Sequence, residues 1–174
     1  METLAYDLVE TPLGTYFLAM TERGLCRCHR VARSSPAPSS RQLADWMGPS
    51  EAKTAPRLHP RAIRPFRRAL EAYFGGTPID DDLPMDMMGT LFQLRAWDVL
   101  RAIPYGETIT YGEQAVRLGN PNAARAVGLA NGANPIGIFV PCHRVIRQGG
   151  ALGGYTGGLA IKRYLLRLEG VDRV

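Results

Sequence analysis

The fold of the second half of the chain is decided by the stretch Thr110-Tyr-Gly-Glu-Gln-Ala-Val-Arg-Leu-Gly119-Asn-Pro-Asn-Ala-Ala-Arg-Ala-Val-Gly-Leu-Ala130. Its first four residues form a capping box, because the Thr110 hydroxyl and the Glu113 side chain can each bond a free backbone N–H group at a helix start. Gly119 predicts the end of that helix. Asn120 predicts the cap of the next helix, with Pro121 at its first position. Two short helices joined by a tight turn indicate a helix-turn-helix.

The second helix of this pair has an unusual composition. Ala124, Ala126 and Gly128 are small, whereas Arg125 among them is long and charged. Small residues allow a helix backbone to approach another surface closely, either a neighbouring helix or a nucleic-acid groove. Close packing inside the protein explains the alanines but not the arginine.

Further helices flank this motif. Thr90 and Gln93 form another capping box, and a helical apolar stripe that includes a core Trp97 follows it as far as Ile103. A last helix is predicted from Leu159 to Leu168. The polar connector around residues 80–84 predicts a domain boundary, so we divide the chain into residues 1–88 and 89–174.

The first half reads as a small α/β domain. Three strands are predicted over residues 4–9, 15–20 and 25–31, separated by turn residues, and they would pair antiparallel. A Ser/Pro-rich loop covers residues 33–40, and helices are predicted over residues 41–47 and 61–74. Pro65 is compatible with the second helix only near the first turn of that helix. His59, which precedes the helix, is predicted to be exposed.

A candidate nucleophile lies in the stretch Pro141-Cys-His-Arg-Val145. A thiolate is the reactive form of cysteine, and a neighbouring imidazole or positive charge lowers the pKa of the thiol. The alternative for this stretch alone is a buried structural cysteine beside a solvent-facing histidine. The glycine-rich segment 149–158 that follows can form a pocket wall whose backbone approaches a ligand.

Charge is distributed unevenly between the two halves. Residues 1–88 carry 11 Lys+Arg and 11 Asp+Glu, whereas residues 89–174 carry 10 and 5, which accounts for the whole net charge of +5. A basic half favours a polyanionic partner such as nucleic acid, with a basic solvated surface as the alternative. The sequence contains neither a signal-peptide pattern nor an apolar run of about 18 residues, so we expect a cytoplasmic protein with no membrane partner.

Together these motifs resemble the O6-alkylguanine-DNA alkyltransferases. The resemblance covers residues 89–174 in order, and in residues 1–88 it is limited to the hairpin with Thr-Pro-Leu-Gly14. Its motifs are Gly89-Thr-x-Phe-Gln93, Ile103-Pro-Tyr-Gly-Glu-Thr108, Thr110-Tyr-Gly112, Gly119-Asn-Pro121, Ala123-Ala-Arg-Ala-Val-Gly128, Asn134-Pro135, Pro141-Cys-His-Arg-Val-Ile146, Gly153-Gly-Tyr155, Gly157-Gly-Leu159, Lys162 and Leu168-Glu-Gly170. It implies a ribonuclease H-like α/β domain with a small antiparallel sheet, followed by a mostly α, winged-helix-like DNA-binding domain.

The resemblance also implies the chemistry. Cys142 would accept the alkyl group from the O6 of guanine, and His143 would take the thiol proton through a water. Glu169 would orient the imidazole, Asn134 would brace the turn, and Tyr111 would donate a proton to the departing guanine. A thioether product has no easy leaving step, so one turnover would inactivate the protein. Arg144 has no chemical role in the family, and we expect it to be structural or to face a phosphate.

The implied partner is double-stranded DNA that contains O6-alkylguanine, bound by a monomer. Arg125 would fill the stack that an extruded base vacates, while the small residues of its helix enter the minor groove. The residues expected at the DNA are Arg125, Tyr111, Ala124, Ala126, Gly128, Asn120 and Gln148. The residues expected around the flipped base are Tyr155, Thr156 with its hydroxyl, Gly153, Gly154, Gly157 and Val145.

Three readings compete with this one. Alkyltransferase-like damage-binding proteins keep the DNA-binding helix but lack the cysteine, so Cys142 argues against a non-catalytic binder. A cysteine hydrolase would have no use for a DNA-reading helix and would need an oxyanion hole. A transcription regulator would place a more polar helix in the major groove. Within the family, Gly137, Thr156 and Gln148 depart from residues common in relatives, which leaves the tolerated alkyl size open.

Cys26, Cys28 and His29 are three possible metal ligands within four residues. Alternate residues of a strand place the two cysteines on one face and the histidine on the other, and no second ligand pair is evident in the sequence. We therefore predict that the two cysteines lie on a strand face that belongs to the core and that the protein has no cofactor. A zinc site is the alternative.

Overall fold

Three sequential antiparallel strands form the sheet of the first half in the computed structural model, which describes residues 4–32, 38–48 and 56–172. The strands are β1 (Ala5–Thr11), β2 (Gly14–Thr21) and β3 (Gly24–Arg30), as predicted. A fourth strand, β4 (Arg57–Leu58), pairs in parallel with β1 and was not predicted, because two exposed residues carry no hydrophobic pattern. The chain divides into two compact units, Met1–Met88 and Gly89–Val174.

Two helices accompany this sheet. Helix α1 (Ser40–Met47) begins at a Ser39–Gln42 capping box, and α2 (Pro60–Phe74) buries four side chains of its apolar stripe, Ile63, Phe66, Leu70 and Tyr73. Residues 33–37 of the predicted Ser/Pro loop lie outside the described residues.

The start of α2 differs from the prediction. Pro60 occupies the first helical position, and the exposed His59 caps the helix by accepting a hydrogen bond at Nδ1 from the Ala62 N–H at 3.1 Å. Pro65 therefore lies in the second turn rather than the first. This position removes one interior backbone donor, which the 15-residue helix tolerates because its apolar face is buried.

Both candidate metal-binding cysteines lie in the core on β3. Cys26 and Cys28 are fully buried, and the thiol of Cys26 lies 3.4 Å from the carbonyl oxygen of Ala19. The ring of His29 packs against Phe17. Among the residues that the structure describes, no group of three or more His, Cys, Asp or Glu side chains could hold a metal ion.

The second unit is built around the predicted helix-turn-helix. Helices α3 (Leu91–Arg101) and α4 (Tyr111–Arg117) both start at the predicted capping boxes. They pack with α5 (Ala124–Gly132) around small buried residues such as Ala96, Ala115 and Val127. The buried Trp97 donates its indole N–H to the carbonyl of Ala130 at 2.9 Å, which ties α3 to α5.

The predicted Asn120 cap of α5 is wrong. Residues 120–122 instead form a turn that the Ala123 N–H closes on the Asn120 carbonyl at 3.0 Å, and α5 starts only after Ala123, without a side-chain cap. Gly119 does end the preceding helical turn, with a φ of 76° that favours glycine.

A short parallel pair of strands lies between the helices. Strand β5 (Ile109–Thr110) pairs with β6 (Val145–Ile146), and a 3₁₀ turn over Cys142–Arg144 directly precedes β6. Helix α6 (Leu159–Leu168) has the predicted bounds. None of the helices in the described ranges is long and apolar enough to cross a bilayer.

Candidate active site

Cys142 begins the 3₁₀ turn at the end of a tightly folded apolar segment. The amide of Asn134 holds this segment at both ends: its Nδ2 donates to the Val140 carbonyl at 2.7 Å, and its Oδ1 accepts from the Ile136 N–H at 3.0 Å. Between them Ile138 has a φ of 73°, a left-handed conformation that a β-branched residue rarely adopts. Asn134 therefore supports a strained turn immediately before the cysteine.

Cys142 is half-buried, and its surroundings act on the pKa of its thiol in opposite directions. Burial raises the pKa of the thiol, and this effect is larger than the opposing ones. A hydrogen bond from Asn134, the positive charge of Lys162 and the cysteine's own backbone N–H all act to lower the pKa. The resting group is a protonated thiol that needs a base before it can attack.

His143 and Glu169 form a fully buried pair beside the thiol. The imidazole Nε2 lies 2.7 Å from Glu169 Oε1, and both side chains are inaccessible to solvent. Burial lowers the pKa of His143, the charge of Glu169 raises it, and the charges of Arg144 and Lys162 lower it further. Because its pKa lies below the ordinary value of 6.5, the imidazole is neutral at pH 7 and can accept a proton.

Arg144 is a structural partner of Glu169 and does not face solvent. Its guanidinium contacts both carboxylate oxygens, at 2.8 Å and 3.1 Å, and donates to the Ile103 carbonyl at 2.6 Å. The guanidinium also lies 5.7 Å from the centre of the Tyr105 ring. Only 8% of the Arg144 surface is exposed. Of the two roles expected from the sequence, Arg144 therefore has the structural one and does not face a phosphate.

Lys162 is a buried cation that sequence reasoning did not place in the site. Its Nζ donates to the carbonyls of Val145 at 2.5 Å, of Leu152, and of Gly154 at 3.3 Å, so it joins α6 to the backbone around the cysteine. Burial lowers its pKa to about 8, against the attraction of Cys142. Two signals were available: Lys162 is one of the motifs that resemble the family, and it lies three residues before Leu165 on the apolar stripe of α6.

A cavity of about 300 Å³ opens beside the thiol. Six of its lining residues were predicted, namely Tyr111, Gly128, Cys142, Gly154, Tyr155 and Thr156. Asn131 and Gly132 complete the lining and were missed. Of the other predicted pocket residues, Val145 is fully buried under the turn, and Gly157 packs against the Tyr155 ring.

Tyr111, at the start of α4, forms one wall of this cavity. Its hydroxyl donates to the Gly154 carbonyl at 3.3 Å, and its ring lies against Gly128 and Gly153. Burial raises the pKa of its hydroxyl, and Cys142 adds to the effect. Thr156 was expected to hold a base with its hydroxyl, but that hydroxyl donates to the Gly132 carbonyl at 3.0 Å and fastens the loop to the end of α5.

Two of the residues expected at DNA, Tyr111 and Gly128, line the cavity, and the other five lie outside it. Arg125 and Ala126 are exposed on the first turn of α5, and Ala124 is half-buried. Asn120 and Gln148 are also exposed, in the turn before α5 and in the loop after β6. The structure thus presents an arginine and small side chains on the exposed face of α5, a helix that also contributes Gly128 to the cavity.

Comparison with known proteins agrees with this arrangement. A family model described as the DNA-binding domain of 6-O-methylguanine DNA methyltransferase matches residues 91–171. A methylated-DNA–protein-cysteine methyltransferase of Methanosarcina acetivorans is 44% identical over 167 residues, which cover 95% of this chain and 97% of the relative. The protein of the same name from Mycolicibacterium paratuberculosis is 43% identical over 166 residues, covering 95% and 92%.

Solved structures show the same fold. The crystal structure of Mycobacterium tuberculosis OGT in complex with DNA matches with a TM-score of 0.79 at 42% identity, over 97% of this chain and 94% of that one. The O6-methylguanine-DNA methyltransferase of Pyrococcus kodakaraensis shares the fold with a TM-score of 0.63 at 22% identity, over 97% and 100%. The chain belongs to the methylated-DNA–protein-cysteine methyltransferase family, which repairs DNA by direct transfer of an alkyl group to a cysteine of the protein itself.

Proposed function

We propose that Cys142 is the alkyl acceptor and that the substrate is O6-alkylguanine extruded from double-stranded DNA. The observation that carries the proposal is the position of the Cys142 thiol. Cys142 and Tyr111 line a cavity of about 300 Å³, and the next residue in the chain, His143, forms a buried pair with Glu169. A cavity of this volume lies at the lower end of the range of small-molecule sites, as a single base requires.

Each proposed role corresponds to a group that the site provides. His143, neutral at pH 7, takes the Cys142 proton through a water, and Glu169 stabilises the resulting imidazolium. The thiolate forms a carbon–sulfur bond to the alkyl group while the bond from that carbon to O6 breaks and its electron pair goes to guanine. Tyr111 donates a proton to the departing base and regains one from solvent. The thioether product is stable, so each molecule reacts once.

We also propose a monomer that acts without a cofactor in the cytoplasm. The four-stranded sheet with its helices supports a ribonuclease H-like first domain, and the helix-turn-helix followed by the β5–β6 pair supports a winged-helix-like second domain. Asn134 braces the acceptor turn. Gly154, Tyr155 and Thr156 line the cavity that takes the base, and Gly153 and Gly157 support the rings of Tyr111 and Tyr155.

DNA binding is assigned to the exposed surface of α5. Extruding a base costs a few kcal/mol of lost stacking and pairing. The exposed Arg125 can fill the vacated stack because small residues flank it and let the helix approach the minor groove. Asn120, Ala124, Ala126, Gly128 and Gln148 extend this surface. The basic excess of residues 89–174 supplies contacts to phosphates that do not depend on sequence.

The experiment that tests the duplex-specific role is Arg125→Ala. We expect this variant to transfer a methyl group from O6-methylguanine in duplex DNA at least about tenfold more slowly, the equivalent of roughly 1.4 kcal/mol. Transfer from the free base analogue O6-benzylguanine should stay close to wild type, because a free base needs no extrusion. Arg167→Ala, which removes the same charge from α6, is the control. Equal losses on duplex and free base would refute the role.

A second prediction concerns the wall that positions Tyr111. Gly153 has a φ of 70°, and a Cβ added there would lie 2.9 Å from both Cε2 and the hydroxyl of Tyr111. Gly153→Ala should therefore displace the tyrosine and slow transfer by about 10²-fold. Gly150→Ala is a matched control, because its φ is 89° but the added Cβ meets no atom within 4 Å. Similar rates for the two variants, measured in single-turnover assays, would contradict the predicted displacement.

A further inference from the structure

Two buried amide side chains form a closed pair between the helix-turn-helix core and the cavity. Asn131 Nδ2 donates to Gln114 Oε1 at 2.8 Å, and Gln114 Nε2 donates to Asn131 Oδ1 at 3.1 Å. Gln114 is fully buried in α4, and Asn131, near the end of α5, is 7% exposed. Only Asn131 of the two lines the cavity that contains Cys142.

The orientation of both amides is set by a third group. Gln114 Nε2 also donates to the Ala96 carbonyl of α3 at 3.1 Å. A carbonyl oxygen can only accept, so the Gln114 nitrogen must face α3, which in turn fixes which end of the Asn131 amide is oxygen and which is nitrogen. Gln114 thereby uses both of its N–H groups, and its oxygen accepts from Asn131.

Asn131 keeps unused hydrogen-bonding capacity. Its amide has two N–H groups and two acceptor lone pairs, and the pair with Gln114 uses one of each. Within residues 4–32, 38–48 and 56–172 its side chain makes no hydrogen bond other than these two with Gln114. When a ligand fills the cavity and displaces water, the remaining N–H and lone pair must bond the ligand or stay unsatisfied at a free-energy cost.

We propose that Asn131 is a specificity-determining residue, whose amide, held by Gln114, hydrogen-bonds a polar edge of the extruded base. This inference rests on the proposed function, because it concerns the base bound beside Cys142. A site built to bond a polar group discriminates strongly against ligands that lack that group, since its own buried group is then left unpaired. A purine edge with nitrogen donors and acceptors satisfies the Asn131 amide, whereas a purely apolar ligand surface does not.

The test requires a variant that removes the amide without unfolding the protein. Replacing both members of a buried polar pair by apolar residues of similar size can be nearly neutral, whereas replacing one leaves its partner unsatisfied. We therefore choose the double variant Gln114→Met with Asn131→Leu, and Gln114→Met alone as a control that keeps Asn131 at the wall. Thermal unfolding should show the double variant closer to wild type than the single variant.

Transfer from a set of DNA duplexes then separates recognition from packing. The duplexes carry O6-methylguanine, its 3-deaza or 7-deaza analogue, or O6-methylhypoxanthine, each analogue lacking one polar group of the base. With O6-methylguanine, the double variant should need about tenfold more substrate for half-maximal rate, which is about 1.4 kcal/mol. With the analogue that lacks the partner of Asn131, this difference between wild type and double variant should disappear.

Two outcomes would overturn the inference. One is an unchanged half-saturation concentration in the folded double variant. The other is an equal loss on all four duplexes, which would mean that Asn131 shapes the wall without bonding the base. Both are distinct from failure of the proposed function, in which the wild-type protein itself would transfer no methyl group from O6-methylguanine.

Discussion

Cys142→Ala is expected to abolish methyl transfer from O6-methylguanine DNA completely. Attack on a saturated carbon needs a strong, soft nucleophile, and a thiolate is the best that protein side chains provide. Of the three cysteines, only Cys142 lines the cavity, whereas Cys26 and Cys28 are fully buried in the other unit. The measurement is label transferred to protein from DNA that carries a radioactive O6-methyl group.

The other cysteines provide the matched controls. Cys26→Ala and Cys28→Ala should each retain the full amount of transfer, although burial in the sheet predicts a lower melting temperature for both. Cys142→Ala should still bind damaged duplex, because the exposed surface of α5 is unchanged. Transfer by Cys142→Ala, or loss of transfer in a folded β3 variant, would mean that another residue is the acceptor.

Glu169→Gln is expected to have the next largest effect, on both rate and stability. The carboxylate contacts His143 at 2.7 Å and Arg144 at 2.8 Å, and it also accepts from the Gly106 N–H at 3.1 Å. Removing its charge leaves the nearly buried Arg144 without its counter-ion, which costs about 3–5 kcal/mol of unfolding free energy. The transfer rate should fall about 10²- to 10⁴-fold, as for the loss of a positioned base.

The pH dependence of the Glu169→Gln rate gives the more specific test. Glu169 raises the pKa of His143, so its loss lowers that pKa further and makes the imidazole a weaker base. The thiol must then ionise without help, and burial raises its pKa. The variant should recover activity as the pH rises above neutrality, more steeply than wild type. The control is Glu107→Gln, which removes an exposed carboxylate of the same unit and should match wild type. If the rate of Glu169→Gln stayed parallel to that of wild type at all pH values, this role of Glu169 would be excluded.

The parts of the fold that local chemistry determines could be predicted from the sequence. The capping boxes at Thr90 and Thr110 involve residues three apart, and both form as expected. Asn120 failed as a cap because residues 120–122 close their own turn, and an Asn-Pro sequence is compatible with either structure. Strand β4 has two residues, too few for a periodic pattern.

The missed parts of the candidate site depend on contacts between distant residues. Lys162 reaches the carbonyls of Val145 and Leu152, which lie 17 and 10 residues away. The Gln114–Asn131 pair joins residues 17 apart on different helices. In the sequence, Gln114 and Asn131 resemble ordinary polar helix residues and Lys162 is marked only as a family motif. The packing of the helices shows that all three side chains are buried.

The stoichiometry and location of methyl transfer test the central claim most directly. Purified protein is incubated with excess O6-methylguanine duplex, and the intact protein and its proteolytic peptides are weighed by mass spectrometry. We predict a gain of one methyl group per molecule, confined to the peptide that contains Cys142, and no further gain with more substrate. Repeated turnover, no transfer, or a methyl group on any other residue would contradict single-use alkyl acceptance by Cys142.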